Sequence, residues 1–265
     1  MTDFRELHHR EGQPLLLPNP WDVGSARLLE SLGFEALATT SSGFAATLGR
    51  LDYGVTRDEA IGHAATIAAA VDVPVSADLE NGFGAAPEEA AETVRLASQA
   101  GLAGGSIEDT TGRDEEPVYD LDTAAVRVEA AAEAARKTGF VLTARAENHL
   151  HGRDDLADTI ARLQAYEAAG ADVLYAPGLT SLDDIREVVS AVGKPVNVLA
   201  LPHAPSVAEL AEVGVRRISV GGSFAFAALG ALVDAARELR EQGTYGFTDQ
   251  ARKGSKAARA AFGQR

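Results

Sequence analysis

The sequence predicts an α/β fold, a closed (β/α)8 TIM barrel in a single domain. Eight short β-type runs alternate with Ala-rich amphipathic stretches along the chain, and eight strand-plus-helix units in about 250 residues is the arithmetic of a closed barrel. The 265 residues also show no break in composition, and α/β barrels of this size commonly remain undivided. A doubly wound open sheet shares the local signals, and the count of eight favours the barrel. The expected extent is one domain over residues 1–265, with a core over about 14–242 and a C-terminal helical extension over about 243–265.

The strand candidates, in order, are LLLP (15–18), EALAT (35–39), VPVSADL (73–79), GGSIED (104–109), FVLTARA (140–146), ADVLYA (171–176), KPVNVL (194–199) and RRISVG (216–221). Segments such as APEEAAETVRLASQAG and TAAVRVEAAAEAARKTG lie between them, rich in helix formers and stopped by Gly before the next strand. That punctuation marks parallel βαβ units. The last segment, TDQARKGSKAARAAFGQR, reads as an extra helix beyond the barrel, whose basic residues form a solvated or intersubunit face.

Composition excludes several classes of function. Hydrophobic residues at 46% and charged residues at 24% are globular values. With 39 acidic against 24 basic residues, the formal charge of −15 repels phosphate backbones and anionic lipid. Neither a nucleic acid nor a membrane is an expected partner. No cysteine is present, which removes disulfides, thiolate nucleophiles and zinc–thiolate sites. The N-terminus lacks an apolar signal core and no run approaches the roughly 20 apolar residues of a bilayer span, so a cytoplasmic location is expected.

In a barrel the chemistry belongs at the C-terminal strand ends. The third strand ends SADLENGFG, with Asp78 and Glu80 expected on one side about 7 Å apart. The fourth ends SIEDTTG and adds Glu108 and Asp109. Converging carboxylates need a cation between them, and an all-oxygen set favours Mg²⁺, with Mn²⁺ possible. Mg²⁺ keeps several waters, so Asp78 is the candidate direct ligand, with Glu80 and Glu108 holding water ligands. Helix capping is the alternative role and suits Asp109 better than Glu80. On the fifth strand, TARAENHLHG, Arg145 shares the parity of Glu147 and would either grip a substrate carboxylate or pair with one of the acids. Thr40, Ser41, Ser42 and Gly43 offer hydroxyls and amides to an anion, although such a turn is often only a turn. None of the four lysines stands at a strand's C-terminal end, which disfavours a Schiff-base aldolase. His149 and His151 are left without a role, SVGGSFAF reads first as a tight turn into a helix, and Trp21 reads as a packing anchor at the barrel mouth.

In order, PNPWDVGSARLLESLGFEALATTSSG, LGRLD, SADLENGFG, SIED and TARAEN resemble the isocitrate lyase and phosphoenolpyruvate mutase superfamily, over about residues 14–240. The resemblance implies a Mg²⁺-dependent (β/α)8 barrel acting on small 2-oxo or 2-hydroxy carboxylates. It also implies a homotetramer, a dimer of dimers, in which a C-terminal helix packs on or is swapped with a neighbouring subunit. By the same resemblance Asp78 is the direct metal ligand and a substrate-binding residue, and Glu80 and Glu108 are water-mediated ligands. Arg145 holds the substrate carboxylate, Asp52 is the mobile-loop aspartate reaching the reacting centre, and Thr40 to Gly43 are the oxyanion-binding turn.

The departures from that pattern bear on the reaction. After strand four the lyase branch carries Lys-Lys/Arg-Cys-Gly-His and the phosphonate branch a Lys-Thr-Asn-Ser gate, whereas this chain has TTGRDEEPVYDL. The lyase glutamate after strand six is replaced within YAPGL. The expected activity is therefore a 2-oxo acid lyase working by C–C cleavage or decarboxylation. The alternatives are phosphonomutase or phosphonopyruvate hydrolase chemistry, as in a carboxyvinyl-carboxyphosphonate phosphorylmutase, and a non-catalytic 2-oxo acid binding barrel.

Overall fold

A computed structural model describes residues 3–10 and 12–263. Eight parallel strands follow one another as β1 (Leu15–Leu17), β2 (Leu37–Ala38), β3 (Val75–Asp78), β4 (Gly104–Glu108), β5 (Val141–Arg145), β6 (Val173–Tyr175), β7 (Val196–Leu199) and β8 (Arg217–Ser219). All eight runs singled out in the sequence form strands. The sheet runs β1-β8-β7-β6-β5-β4-β3-β2 and is nearly closed into a (β/α)8 TIM barrel. At the seam between β1 and β2, the Ala38 amide donates to the Pro18 carbonyl (3.1 Å). Just above it, Asn19 donates to the Thr39 carbonyl and accepts from the amides of Val220 and Gly221. One asparagine thus ties together the ends of β1, β2 and β8.

The helices are α1 (Phe4–Leu7), α2 (Val23–Ser31), α3 (Ser41–Thr47), α4 (Arg57–Ala68), α5 (Pro87–Gln99), α6 (Leu121–Arg136), α7 (Leu156–Ala169), α8 (Leu182–Ala191), α9 (Val207–Glu212), α10 (Ser223–Arg237) and α11 (Thr248–Phe262). Side-chain caps start most of them, for example Asp22 on α2, Thr56 on α4 and Ser206 on α9. The main core lies between the outer sheet face and the helices, built from Leu37, Val75, Ile107, Leu142, Leu174 and their helical partners. Gly104 and Gly105 allow β4 to pack, since a Cβ on Gly104 would lie 2.6 Å from the Val141 carbonyl oxygen.

The inside of the barrel is layered. Phe4 and Leu7 of α1 plug the bottom against Leu15, Leu17, Val141 and Val173. Above the plug the buried inward residues are polar, among them Ser76, Ser106, Thr143, Asn197 and Arg217. Above these again stand Asp78, Glu108 and Arg145. A TIM barrel interior is ordinarily filled by branched apolar side chains, and the polar middle layer here becomes the floor of a cavity.

The extra C-terminal helix is present as α11. It lies against α2 of its own chain, with Phe262 beside Gly24, and none of its residues is buried. The face of α10 exposes Phe226, Leu229, Leu232 and Val233.

Candidate active site

A cavity of about 200 Å³ opens at the C-terminal mouth of the barrel. Of the residues expected at the site, Thr40, Ser41, Ser42, Asp52, Asp78, Glu108 and Arg145 line it together. Thr40 caps α3, so the Ser41 amide is free to donate to Asp78 Oδ2 (3.0 Å). Asp78 also accepts on Oδ1 from the Glu80 amide (3.4 Å), and its own amide donates to Thr39 Oγ1 (2.9 Å). The last residue of β3 is held on both sides.

Gly43 does not reach the cavity. It lies one turn into α3, where a Cβ would meet Thr40 Cγ2 at 2.6 Å and Trp21 and Ala225 at 3.3 Å. Its contribution is close packing of α3, and Trp21 packs beside it. Glu80 departs from the expected geometry as well. Strand pairing ends at Asp78, and Glu80 takes a left-handed backbone (φ 47°), so the two-residue parity that would aim both acids alike fails. Glu80 borders the neighbouring cavity with Arg57 and Asn81, while its carboxyl stays close enough to Asp78 and Asp52 to feel their charge. Oε1 of Glu80 is buried without a hydrogen-bond partner, and burial, with Asp78 and Asp52 nearby, pushes the carboxyl up to about 8.

The acids at the strand ends also meet a cation that the chain itself supplies. Among the described residues no three acidic or histidine side chains meet closely enough to ligate an ion by themselves. The group at their centre is Arg145, whose guanidinium reaches Glu147 Oε1 (2.6 Å), Glu108 Oε1 (2.8 Å) and Asp78 Oδ1 (3.4 Å). The same guanidinium stands 4.9 Å from the centre of the Tyr175 ring. Burial opposes its charge, but the three carboxylates more than offset that and keep it protonated. Glu108 and Glu147 must share this one cation, and burial pushes both carboxyls up.

The loop after α3 covers the cavity with Asp52 and Tyr53. Partial burial and the proximity of Asp78 raise the Asp52 carboxyl, while a hydrogen bond with the Ser41 side chain works against that rise. Tyr53 adopts φ 59° and donates its hydroxyl to Glu108 Oε2 (2.8 Å). Burial and the neighbouring carboxylate raise the phenol, which stays protonated as a donor. Asp109 is neither a cap nor a cavity residue. It is buried, accepting from Arg162, Tyr166 and the Glu147 amide, and so fixes the backbone that carries Glu147.

The lining also includes residues that sequence reasoning missed, namely Asn19, Tyr53, Glu147, Tyr175, Ser219 and Arg217. Glu147 had a signal, its shared parity with Arg145. Arg217 had none, because adjacent arginines at 216 and 217 at the start of a strand do not show which one faces inward. His149 lies outside this cavity, with Nδ1 3.4 Å from Asp154.

The acids lining the cavity are Asp52, Asp78, Glu108 and Glu147, and the bases are Arg145 and Arg217. Four carboxylates against two guanidiniums leave a surplus of two negative charges when all are ionised. That surplus, an all-oxygen donor set and the unpartnered Oε1 of Glu80 fit a hard divalent cation carrying much of its own water.

Comparison with known proteins places this geometry. Residues 4–240 match the family model described as phosphoenolpyruvate phosphomutase. A crystal structure of a provisionally assigned lyase/mutase from Burkholderia cenocepacia J2315 is 56% identical, with a TM-score of 0.90 over 93% of this chain and 90% of that one. An uncharacterised protein of Mycobacterium tuberculosis is 35% identical over 90% of this chain and 89% of its own length. Oxaloacetate acetylhydrolase, solved with its product oxalate, is 28% identical, with a TM-score of 0.85 over 97% of this chain and 93% of that one. Lyases, decarboxylases and mutases recur among the relatives. The chain belongs to the phosphoenolpyruvate phosphomutase family and is an enzyme of the isocitrate lyase and phosphoenolpyruvate mutase superfamily.

Proposed function

We propose that this enzyme is a Mg²⁺-dependent lyase that cleaves a C–C bond of a small 2-oxo or 2-hydroxy carboxylate, by decarboxylation or retro-aldol cleavage. The observation that carries the reading is the clamped Asp78 carboxylate at the cavity mouth, facing the Ser41 amide and the surplus of acids around Arg145. Asp78 would hold the ion directly, and Glu80 and Glu108 would hold its waters; Mn²⁺ would serve in its place. When bound, the ion would polarise the keto oxygen and stabilise the negative charge that develops as the bond breaks.

The chain's own groups would do the rest. The Ser41 and Ser42 hydroxyls and the Ser42 amide bind the substrate carboxylate, with Thr40 fixing their geometry. Arg145 orients Asp78 and Glu108 and presents positive charge to the substrate. Asp52, with a raised carboxyl, can hold or return a proton at the reacting carbon. The Asp52–Tyr53 loop excludes water. The exposed apolar face of α10 suits association of subunits into a homotetramer.

The test is incubation with Mg²⁺ and a panel containing oxaloacetate, 2-methylisocitrate and 2,3-dimethylmalate, with detection of the released carbonyl product or CO₂. Asp78→Ala should abolish metal-dependent turnover and binding; a variant that binds and turns over as wild type refutes the assignment. Phosphonate chemistry is the second reading, favoured by the description of the matching family model and by a provisionally assigned phosphonomutase 39% identical to this chain. Isomerised product or free phosphate from phosphonopyruvate would select it. A site that binds oxalate tightly but turns over no panel member would identify a binding barrel.

A further inference from the structure

Two arginines line the cavity, and only Arg145 has carboxylate partners. Arg217, on β8, is 4% exposed. It donates Nε to Asn197 Oδ1 (2.9 Å) and Nη1 to Thr143 Oγ1 (3.0 Å), and Nη1 lies 3.3 Å from His8 Nε2. His8 Nδ1 is 2.8 Å from the Phe4 carbonyl, which makes it the protonated nitrogen and leaves Nε2 to accept from Arg217. These three partners are neutral. Among the described residues no carboxylate is in ion-pair contact with Arg217, and burial pushes its guanidinium down to about 10. Removing a cation from water without an anion costs several kcal/mol.

The position of this charge suggests why it is kept. Thr143, which Arg217 touches, precedes Arg145 by two residues on β5, so it lies one inward layer below, about 7 Å deeper. Arg217 thus lies at the floor of the cavity whose mouth carries Asp78, Ser41 and Arg145. We infer that Arg217 is a specificity-determining residue, an anion subsite at the barrel floor that binds the far carboxylate of a short dicarboxylate while the 2-oxo carboxylate is held at the mouth. Asn197, Thr143 and neutral His8 orient the guanidinium without neutralising it, so its charge stays available to a ligand. With Nε and Nη1 committed to these partners, Nη2 is the nitrogen left to donate to a carboxylate. A monocarboxylate would leave the buried charge unpaired. This inference rests on the 2-oxo acid reading above and adds to it the anionic nature of the substrate's far end.

The experiment measures calorimetric affinities for pyruvate and 3,3-difluorooxaloacetate, both with Mg²⁺, in the full-length wild type, Arg217→Met and Arg217→Lys. The two probes share the 2-oxo carboxylate and differ in the second carboxylate. Wild type should prefer the dicarboxylate at least tenfold. In R217M that preference should collapse toward unity while pyruvate affinity stays within about twofold. R217K, which keeps the charge without the guanidinium, should retain part of it. An unchanged preference in folded R217M, or an equal loss for both ligands, overturns the subsite. If R217M does not fold, a wild-type preference in R217K overturns it. Equal wild-type affinity for the two probes removes the subsite and leaves the 2-oxo acid reading standing, whereas binding of neither probe removes both.

Discussion

Arg145 and Arg217 reach into one cavity from β5 and β8, and the fold compensates them in opposite ways. Arg145, at the mouth, is shared by Asp78, Glu108 and Glu147. Arg217, at the floor, is held by an asparagine, a threonine and a histidine. The mouth has more negative charge than its one guanidinium offsets, and the floor has positive charge with nothing to offset it. A buried charge with its partners in place is chiefly structural, and one without them is held ready for a ligand. The difference separates an arginine that organises the site from one that reads the substrate.

The largest expected effect that would sharpen or break this contrast is on stability. Arg145→Met leaves two buried carboxylates without a cation and should cost about 3–5 kcal/mol, seen as a drop in thermal midpoint of roughly 10 °C for a chain of this size. Arg217→Met removes an uncompensated charge at the expense of three hydrogen bonds. The two changes largely offset one another, to within about 2 kcal/mol. Equal thermal losses in the two variants would erase the distinction.

An intermediate effect concerns pH at the floor. Burial and the nearby Arg217 push the His8 imidazole down to about 3, from an ordinary value of 6.5. The unfolded chain therefore takes up a proton that the native one refuses. The stability owed to this residue is complete above pH 6.5 and falls as the pH drops from there toward 3, by at most about 1.4 kcal/mol per pH unit. His8→Asn should flatten the acid limb of a midpoint-against-pH curve by that amount relative to wild type. Superimposable curves would show that His8 is not held neutral beneath Arg217.

The smallest effect is expected at the covering loop. Tyr53→Phe removes the hydroxyl from Glu108 but keeps the ring and the left-handed backbone. Global stability should change by less than about 1 kcal/mol. Limited proteolysis between residues 48 and 54 should become faster, and KM should rise several-fold with less change in kcat. Unaltered cleavage would show that the hydroxyl does not fasten the loop.

Much of this molecule was legible in the chain. Eight alternating apolar runs determined eight strands, and the lack of cysteine excluded thiol chemistry. The shared parity of Arg145 and Glu147 put both at the same mouth. Parity within a strand is a local property, and it is kept as long as the strand continues. It fails at Glu80, which lies beyond the last paired residue of β3 and takes a left-handed backbone. It is silent on which strand lies opposite and at what depth. Only the closed barrel puts Arg217 beside Thr143, which is 74 residues away, sends Asp109 outward to Arg162 and Tyr166 of α7, and sets Tyr53 over Glu108. Those pairings depend on the stagger and closure of the whole sheet, which no single segment encodes, so the sequence by itself determined the list of charged groups and only the tertiary structure decided which of them are neutralised.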